Sequence, residues 1–321
     1  MHLRRMQRPT LILPSPGAIS ERKVPPQTPF PSPAGPPCLR GFLFARSPRP
    51  LGCRTARRSG RMSRLALTRV LLLLCTAVAI VALALHGPIP QDPSYHRFAD
   101  ARTLFGVPNA WNVLSNLPFL VVGLHGLMRL PRLSVERTRA GYVALCIGIA
   151  CVAFGSGAYH WAPSNATLVG DRLPMTVAFM AFFALLLDER VIDDRRHRLL
   201  AALLVLGVAS VAYWNITERF GVGDLRPYVL VQFLPMLLVP LVLALLPARW
   251  LDARWLVAAL VGYALAKALE HFDAAIYAAP VMVSGHALKH IVAALAALCI
   301  VLAVPTRGPQ ASSVSQSRGR K

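Results

Sequence analysis

Two histidines four residues apart have the clearest chemical content in this sequence. His286 and His290 stand in the segment SGHALKH, as an HxxxH pair. Residues i and i+4 of a helix project from one face, with their Cβ atoms about 6 Å apart. That geometry suits two imidazole ligands of one zinc ion, as in the two-histidine helix of many metalloproteases. The pair alone is a weak signal, so its weight depends on what else lies near it.

A catalytic zinc ion also needs a third protein ligand and an open position for water. His160, at the end of GSGAYH, is the best third ligand, and Ser156 lies four residues before it on the same helix face. Asp171 follows eleven residues after His160, across a short loop. A carboxylate there could accept a proton from water activated by the metal. The sequence therefore predicts one catalytic zinc ion held by three histidines, with Asp171 and Ser156 beside it.

Each of these residues also has an ordinary structural interpretation. Ser156 between two glycines could allow close helix packing, and Asp171 before a helix could be an N-cap. Lys267, Glu270 and Asp273 could form a charge network that only holds helices together. A polar stripe could serve either helix packing or the site. It consists of Asn109, Asn112, Ser115 and Asn116.

The composition indicates that these residues are positioned by membrane-spanning helices. The chain has 321 residues, of which 55% are hydrophobic and 15% are charged, and its mean hydropathy is +0.50. This composition excludes an ordinary soluble enzyme and favours a polytopic membrane protein. A helix needs about 20 mostly apolar residues to cross a bilayer. The candidate runs are Val70–Leu85, Ala110–Met128, Ala140–Tyr159, Leu173–Leu187, Leu199–Trp214, Tyr228–Leu246, Trp255–Leu269 and Ser284–Val304.

The net charge of +21 is concentrated in the tails and on one set of loops. Residues 1–61 hold 12 Lys and Arg residues against one acid, and are rich in proline. Such a segment cannot bury enough surface to offset its ordering entropy. We therefore predict a disordered tail at 1–61, with Met62 as an alternative start of translation, and a short disordered basic tail at 305–321. The charge does not indicate a nucleic-acid partner.

Loop charge predicts the orientation in the membrane. With eight spans and both ends in the cytoplasm, the cytoplasmic loops and C-terminal tail carry 14 Lys and Arg residues, whereas the opposite loops carry five. This asymmetry follows the positive-inside rule. It places the polar residues described above on the non-cytoplasmic side. The first run, within residues 65–86, is predicted to be a signal-anchor helix, and a cleaved signal peptide is the alternative.

The order of the motifs resembles that of the alkaline ceramidases, a family of the CREST superfamily of zinc-dependent membrane hydrolases. Ala110–Asn116 is followed by GSGAYH, DRLPM and SGHALKH. The resemblance covers roughly residues 92–304. It implies a seven-helix transmembrane hydrolase domain over that range, preceded here by one extra N-terminal helix.

The resemblance also implies roles for individual residues. His160, His286 and His290 would hold the zinc ion. Asp171 would hold and activate the attacking water, and Ser156 would help to bind the developing oxyanion. The implied reaction cleaves the amide of ceramide, or of a similar N-acyl lipid of the membrane, to a fatty acid and an amine.

The sequence departs from the eukaryotic members in the segment before the second run. Those members carry an acidic segment that binds calcium. Here Asp92 and Asp100 stand among Arg97 and Arg102, and Asn109 stands where a carboxylate would be expected, so a calcium ion is doubtful. The Ala-, Arg- and Leu-rich composition suggests a bacterial source. The expected location is then the bacterial inner membrane, with a periplasmic active site and a cytoplasmic C-terminus.

Three other functions remain open at this stage. A seven-helix lipid receptor could keep the metal for structure, although a structural site needs no spare carboxylate. A proton-coupled transporter could use Lys267 and Glu270, but its relay should continue through the membrane. A serine hydrolase could use Ser156 and His160, but an i, i+4 pair rarely has the geometry for attack. The sequence leaves the oligomeric state and the acyl-chain preference open.

Overall fold

The computed structural model describes residues 63–278 and 283–307. The predicted tail at 1–61 and most of the predicted tail at 305–321 lie outside these residues. Every regular element in the described part of the chain is helical. The helices are α1 (Arg64–His86), α2 (Ala110–Leu114), α3 (Leu117–Arg129), α4 (Arg139–Trp161), α5 (Asn165–Arg190), α6 (Arg198–Arg219), α7 (Arg226–Leu245), α8 (Ala253–His271), α9 (Asp273–Ala278) and α10 (Gly285–Ala303), with 3₁₀ turns at Pro93–His96, Leu130–Arg132 and Glu136–Thr138.

Seven helical segments of the described chain are long and apolar enough to cross a membrane. They are Arg64–His86, Ala110–Arg132, Glu136–Trp161, Asn165–Arg190, Arg198–Arg219, Arg226–Leu245 and Gly285–Ala303. The seventh predicted run, Trp255–Leu269, forms α8, which carries Arg254, Lys267 and Glu270 and does not belong to this group. α8 packs along α10. The chain is therefore an all-α, multi-pass membrane bundle, as its composition predicted.

The N-terminal helix α1 is an ordered part of the bundle. It packs mainly against α7, and the Arg69 side chain donates a hydrogen bond of 2.7 Å to the carbonyl oxygen of Val191. Large apolar side chains on its other faces are exposed, among them Leu73, Val81 and Leu85. Such a surface suits contact with lipid chains. Its retention as a signal anchor or its removal as a signal peptide stays a prediction.

The second predicted run is interrupted, because α2 ends at Leu114 and α3 begins at Leu117. Pro118 lies in the first turn of α3, where its missing N–H is tolerated, whereas it would remove a hydrogen bond from a continuous helix. Between the two helices, the Asn116 side chain donates to the carbonyl oxygen of Asn112 at 2.7 Å. The break turns Ser115 toward α10.

The C-terminal end of α4 and the N-terminal end of α5 approach each other closely. A Cβ atom added at Gly155 would lie only 2.1 Å from the carbonyl oxygen of Gly170. The two backbones can approach this closely because residue 155 is a glycine and has no side chain. Because Ser156 follows this contact on α4 and Asp171 follows it on α5, the contact brings both predicted site residues into one region.

The start of α5 differs from the prediction. The predicted run began at Leu173, whereas α5 begins at Asn165. Ser164 is its N-cap and forms a capping box with Thr167, in which each side chain bonds the backbone of the other. The first turn of α5 is polar, so a search for apolar runs does not detect it. The capping box stabilises this turn. Asp171 consequently lies in the second turn of α5 and is not its N-cap.

Candidate metal centre

The three predicted histidine ligands meet at the C-terminal end of α4 and the N-terminal end of α10. His160 is 2% exposed, His286 is 7% exposed and His290 is 6% exposed. One candidate ligand atom from each lies within 4.8 Å of the others, and Nε2 of His160 is 3.4 Å from Nε2 of His286. Two nitrogens that bind zinc tetrahedrally at 2.0–2.1 Å are about 3.3 Å apart. The donor set could hold one metal ion and is compatible with zinc.

Neighbouring polar groups hold the histidines in place. The Ser115 hydroxyl lies 2.8 Å from Nδ1 of His290, which leaves Nε2 of His290 free to face the other two rings. The Asn109 side chain donates to the carbonyl oxygen of His160 at 2.9 Å. Nδ1 of His160 is buried without a hydrogen-bond partner among the described residues. Of the polar stripe read from the sequence, Ser115 and Asn109 thus support the site directly.

The segment between α1 and α2 covers the histidines from outside. The Phe98 ring lies 4.6 Å from the His160 ring and 4.8 Å from the His286 ring, measured between centroids. Asp273 ties this segment to α10, because its carboxylate accepts from the backbone N–H of Ala99 at 3.1 Å and from that of His286 at 2.7 Å. The segment therefore forms a lid over the site. Nothing in the sequence pattern singled out Phe98.

Asp171 and Ser156 complete the predicted set. Both side chains are buried, and both line the same cavity as the three histidines. The Ser156 hydroxyl is close enough to the Asp171 carboxylate for a hydrogen bond. All five residues singled out in the sequence thus converge, although they come from three helices.

A family model described as Ceramidase matches residues 106–245 of the chain. This part of the chain is similar to the ceramidase family. The match supports a hydrolase that acts on an amide bond, and it implies a lipid substrate. The ceramidase match includes Ser156, His160 and Asp171 but ends before His286 and His290. The structure brings these two histidines next to His160. No curated protein matches the chain.

The candidate site opens into a cavity of about 430 Å³. Ile300, which lines its far end, follows His286 by fourteen residues on α10, a distance of about 21 Å at 1.5 Å per residue. A cavity with a polar end and long apolar walls fits an amphiphile with an extended chain. Its apolar lining includes Leu145, Ile149, Phe182, Met236, Leu260 and Ala297.

A charged cluster links α8 to α10 at the polar end of this cavity. Nζ of Lys267 lies 2.7 Å from the Glu270 carboxylate, and Lys289 forms an ion pair with the same carboxylate. All three side chains line the cavity. The cluster therefore holds two helices together, as one sequence interpretation had it, and also faces the substrate space. Asp273 lies apart from this cluster and serves the lid.

The acids of the segment that binds calcium in eukaryotic ceramidases have other partners here. The Asp92 carboxylate accepts from the backbone N–H of Ser94 at 2.8 Å. Asp100 accepts from Nε and Nη2 of Arg102 at 2.8 Å and 2.7 Å. These hydrogen bonds hold the pKa of Asp100 below its usual range. The Asp100 carboxylate thus already has a cationic partner.

Proposed function

We propose that the chain is a zinc-dependent amidohydrolase that cleaves the amide of ceramide, or of a similar N-acyl lipid, to a fatty acid and an amine. The observation that carries this proposal is the convergence of three histidines, Asp171 and Ser156 at the polar end of a long apolar cavity. Zinc held by three histidines supplies a Lewis acid for the amide carbonyl and lowers the pKa of water to about 7.

Asp171 is the proposed proton carrier. Its carboxylate takes the proton from the attacking water and delivers it to the amide nitrogen, so that the amine can leave. Ser156 donates a hydrogen bond to the oxygen on which negative charge develops. The closeness of the Ser156 hydroxyl to the Asp171 carboxylate supports this division of roles, because both groups then face one reacting centre.

The apolar part of the cavity is the proposed acyl-chain site. Its walls run from the histidines toward the opposite membrane face, so an acyl chain placed there brings its amide carbonyl to the polar end. Phe98 closes the outer side of that end and limits the access of bulk water.

The proposed site faces the non-cytoplasmic side of the membrane. The site residues lie at one end of α4, α5 and α10, and the arginine-rich loops lie at the other end of these helices. The positive-inside rule then places the C-terminus in the cytoplasm and, in a bacterial inner membrane, the site in the periplasm.

A metal-ligand variant tests the proposal. Purified wild-type protein is expected to contain one zinc ion per chain and to release fatty acid from a panel of N-acyl lipids that includes ceramide. His286→Ala should lose both zinc and turnover. His125→Ala is the matched control, because His125 lies on α3 and does not line the cavity. Activity in zinc-free protein, or full activity in His286→Ala, would contradict the proposal.

A further inference from the structure

A buried arginine next to the catalytic residues has no carboxylate paired with it. Arg172 follows Asp171 on α5, is 5% exposed and lines the cavity. Its Nη2 donates a hydrogen bond to the side-chain oxygen of Gln91. Its Nη1 is buried and has no hydrogen-bond partner in the described part of the chain. A buried charge without a partner is costly, so this guanidinium calls for an explanation.

Nearby acids do not neutralise Arg172 directly. No ion pair within 4.0 Å joins it to an acid in residues 63–278 and 283–307. Asp171 is near enough to interact with it electrostatically, but the Asp171 carboxylate has Ser156 as its hydrogen-bond partner. The other acids that line the cavity have partners of their own, since Asp92 accepts from the backbone N–H of Ser94 and Glu270 is held by Lys267 and Lys289.

Aromatic rings surround the faces of this guanidinium. Its central carbon lies 4.2 Å from the Trp214 ring centroid, 4.6 Å from that of Tyr228 and 6.0 Å from that of Tyr95. Cation–π contacts of this kind stabilise the charge in a site with little water. They satisfy only the faces of the group, because its N–H donors point outward in its plane. The Nη1 donors therefore remain without an acceptor, on a side chain that lines the cavity.

We infer that Arg172 binds an anionic group on the amine side of the substrate, either a carboxylate or a phosphate. The inference rests on the proposed function, which places the amide at the histidines and the acyl chain along the apolar walls. The amine-side headgroup then lies at the polar end, where Gln91, Tyr95 and Arg172 line the cavity. Arginine is the side chain best suited to bind such oxyanions, since its planar fork matches two oxygens at once.

The competing explanation is that Arg172 only clamps the lid. Its bond to Gln91 connects α5 to the segment before α2, and the loss of that bond could loosen the site for every substrate. A clamp would affect charged and neutral substrates by the same factor. A headgroup contact would change the ratio between them.

Two substrates that share the acyl chain and amide but carry a charged or a neutral headgroup separate these explanations. N-palmitoylglycine carries a carboxylate on the amine side, and N-palmitoylethanolamine carries a hydroxyl at the corresponding carbon. For the wild type we expect kcat/KM to favour N-palmitoylglycine by about tenfold or more, as for a charge-assisted bidentate pair. Arg172→Gln should bring the ratio near one, and Arg172→Lys should give an intermediate ratio because it keeps the charge without the fork. Arg219→Gln, at an exposed arginine at the end of α6, should keep the wild-type ratio.

A binding measurement tests the headgroup site independently of the hydrolase proposal. In Asp171→Asn protein, N-palmitoylglycine should bind at least tenfold more tightly than N-palmitoylethanolamine, and adding Arg172→Gln should remove the difference. If wild-type protein hydrolyses no lipid of the panel, ceramide and these two lipids included, but shows this preference in binding, the hydrolase proposal is wrong and the headgroup site stands. Hydrolysis without any preference, or equal effects of Arg172→Gln on both lipids, would overturn the headgroup site. Should Arg172→Gln fail to fold, the ratio measured for Arg172→Lys decides.

Discussion

The Ser115 hydroxyl lies 2.8 Å from Nδ1 of His290, across 175 residues of sequence. The bond directs the other nitrogen of His290, Nε2, toward His160 and His286. Hydrogen bonds of this kind fix the tautomer and the ring orientation of metal-binding histidines. The break between α2 and α3 is therefore functional, because a continuous helix would carry Ser115 along a different path.

Ser115→Ala should weaken metal binding without removing it. We expect zinc affinity to fall by about 10- to 100-fold, the usual effect of losing a group that orients a ligand. Competition with a chromophoric chelator measures the change. Ser210→Ala is the control, since Ser210 is equally buried but bonds only the carbonyl oxygen of Gly207 on α6. Equal affinities in the two variants would mean that Ser115 does not position His290.

Asp171→Asn should separate catalysis from metal binding. The amide keeps the shape of the side chain but cannot accept the proton, so kcat should fall by about 10²- to 10⁴-fold. Zinc content should stay at the wild-type level, because the three histidines are intact. Asp193→Asn, at a half-exposed acid in the loop between α5 and α6, is the control. Loss of zinc in Asp171→Asn would instead make Asp171 part of the metal site.

Phe98→Ala should open the lid. Without the ring over His160 and His286, water and chelators reach the metal more easily, so the rate at which a chelator removes zinc should rise several-fold. Phe105→Ala is a matched control, because Phe105 belongs to the same segment but is fully exposed. Stopped-flow measurement of chelator absorbance follows the release. A rate equal to that of the control would show that Phe98 does not shield the ion.

Gly155→Ala should force α4 and α5 apart. The added methyl group would lie 2.1 Å from the carbonyl oxygen of Gly170, and overpacking of this kind costs about 1–3 kcal/mol. We expect a lower thermal midpoint and a lower kcat, since Ser156 and Asp171 would no longer face one centre. Gly157→Ala is the control, because nothing lies within 4 Å of a methyl group there. A variant as stable and active as the control would contradict the close approach.

Local sequence patterns were sufficient to predict most of the long helices and one face of the site. Apolar runs long enough for a bilayer predicted the helices, because hydropathy and span length are properties of contiguous residues. The HxxxH spacing predicted that His286 and His290 share a helix face, because the α-helix repeats every 3.6 residues. The start of α5 was wrong by eight residues, since the capping box of Ser164 and Thr167 stabilises a first turn that is not apolar.

The sequence by itself therefore determined the class of protein, the helices and the residues able to do the chemistry. Only the tertiary structure decided how these residues meet. The bond from Ser115 to His290, the Phe98 ring over two histidines and the aromatic surroundings of Arg172 join segments far apart in the chain. Such contacts depend on how helices rotate and approach one another. That geometry follows from packing at positions such as Gly155, which no local periodicity records.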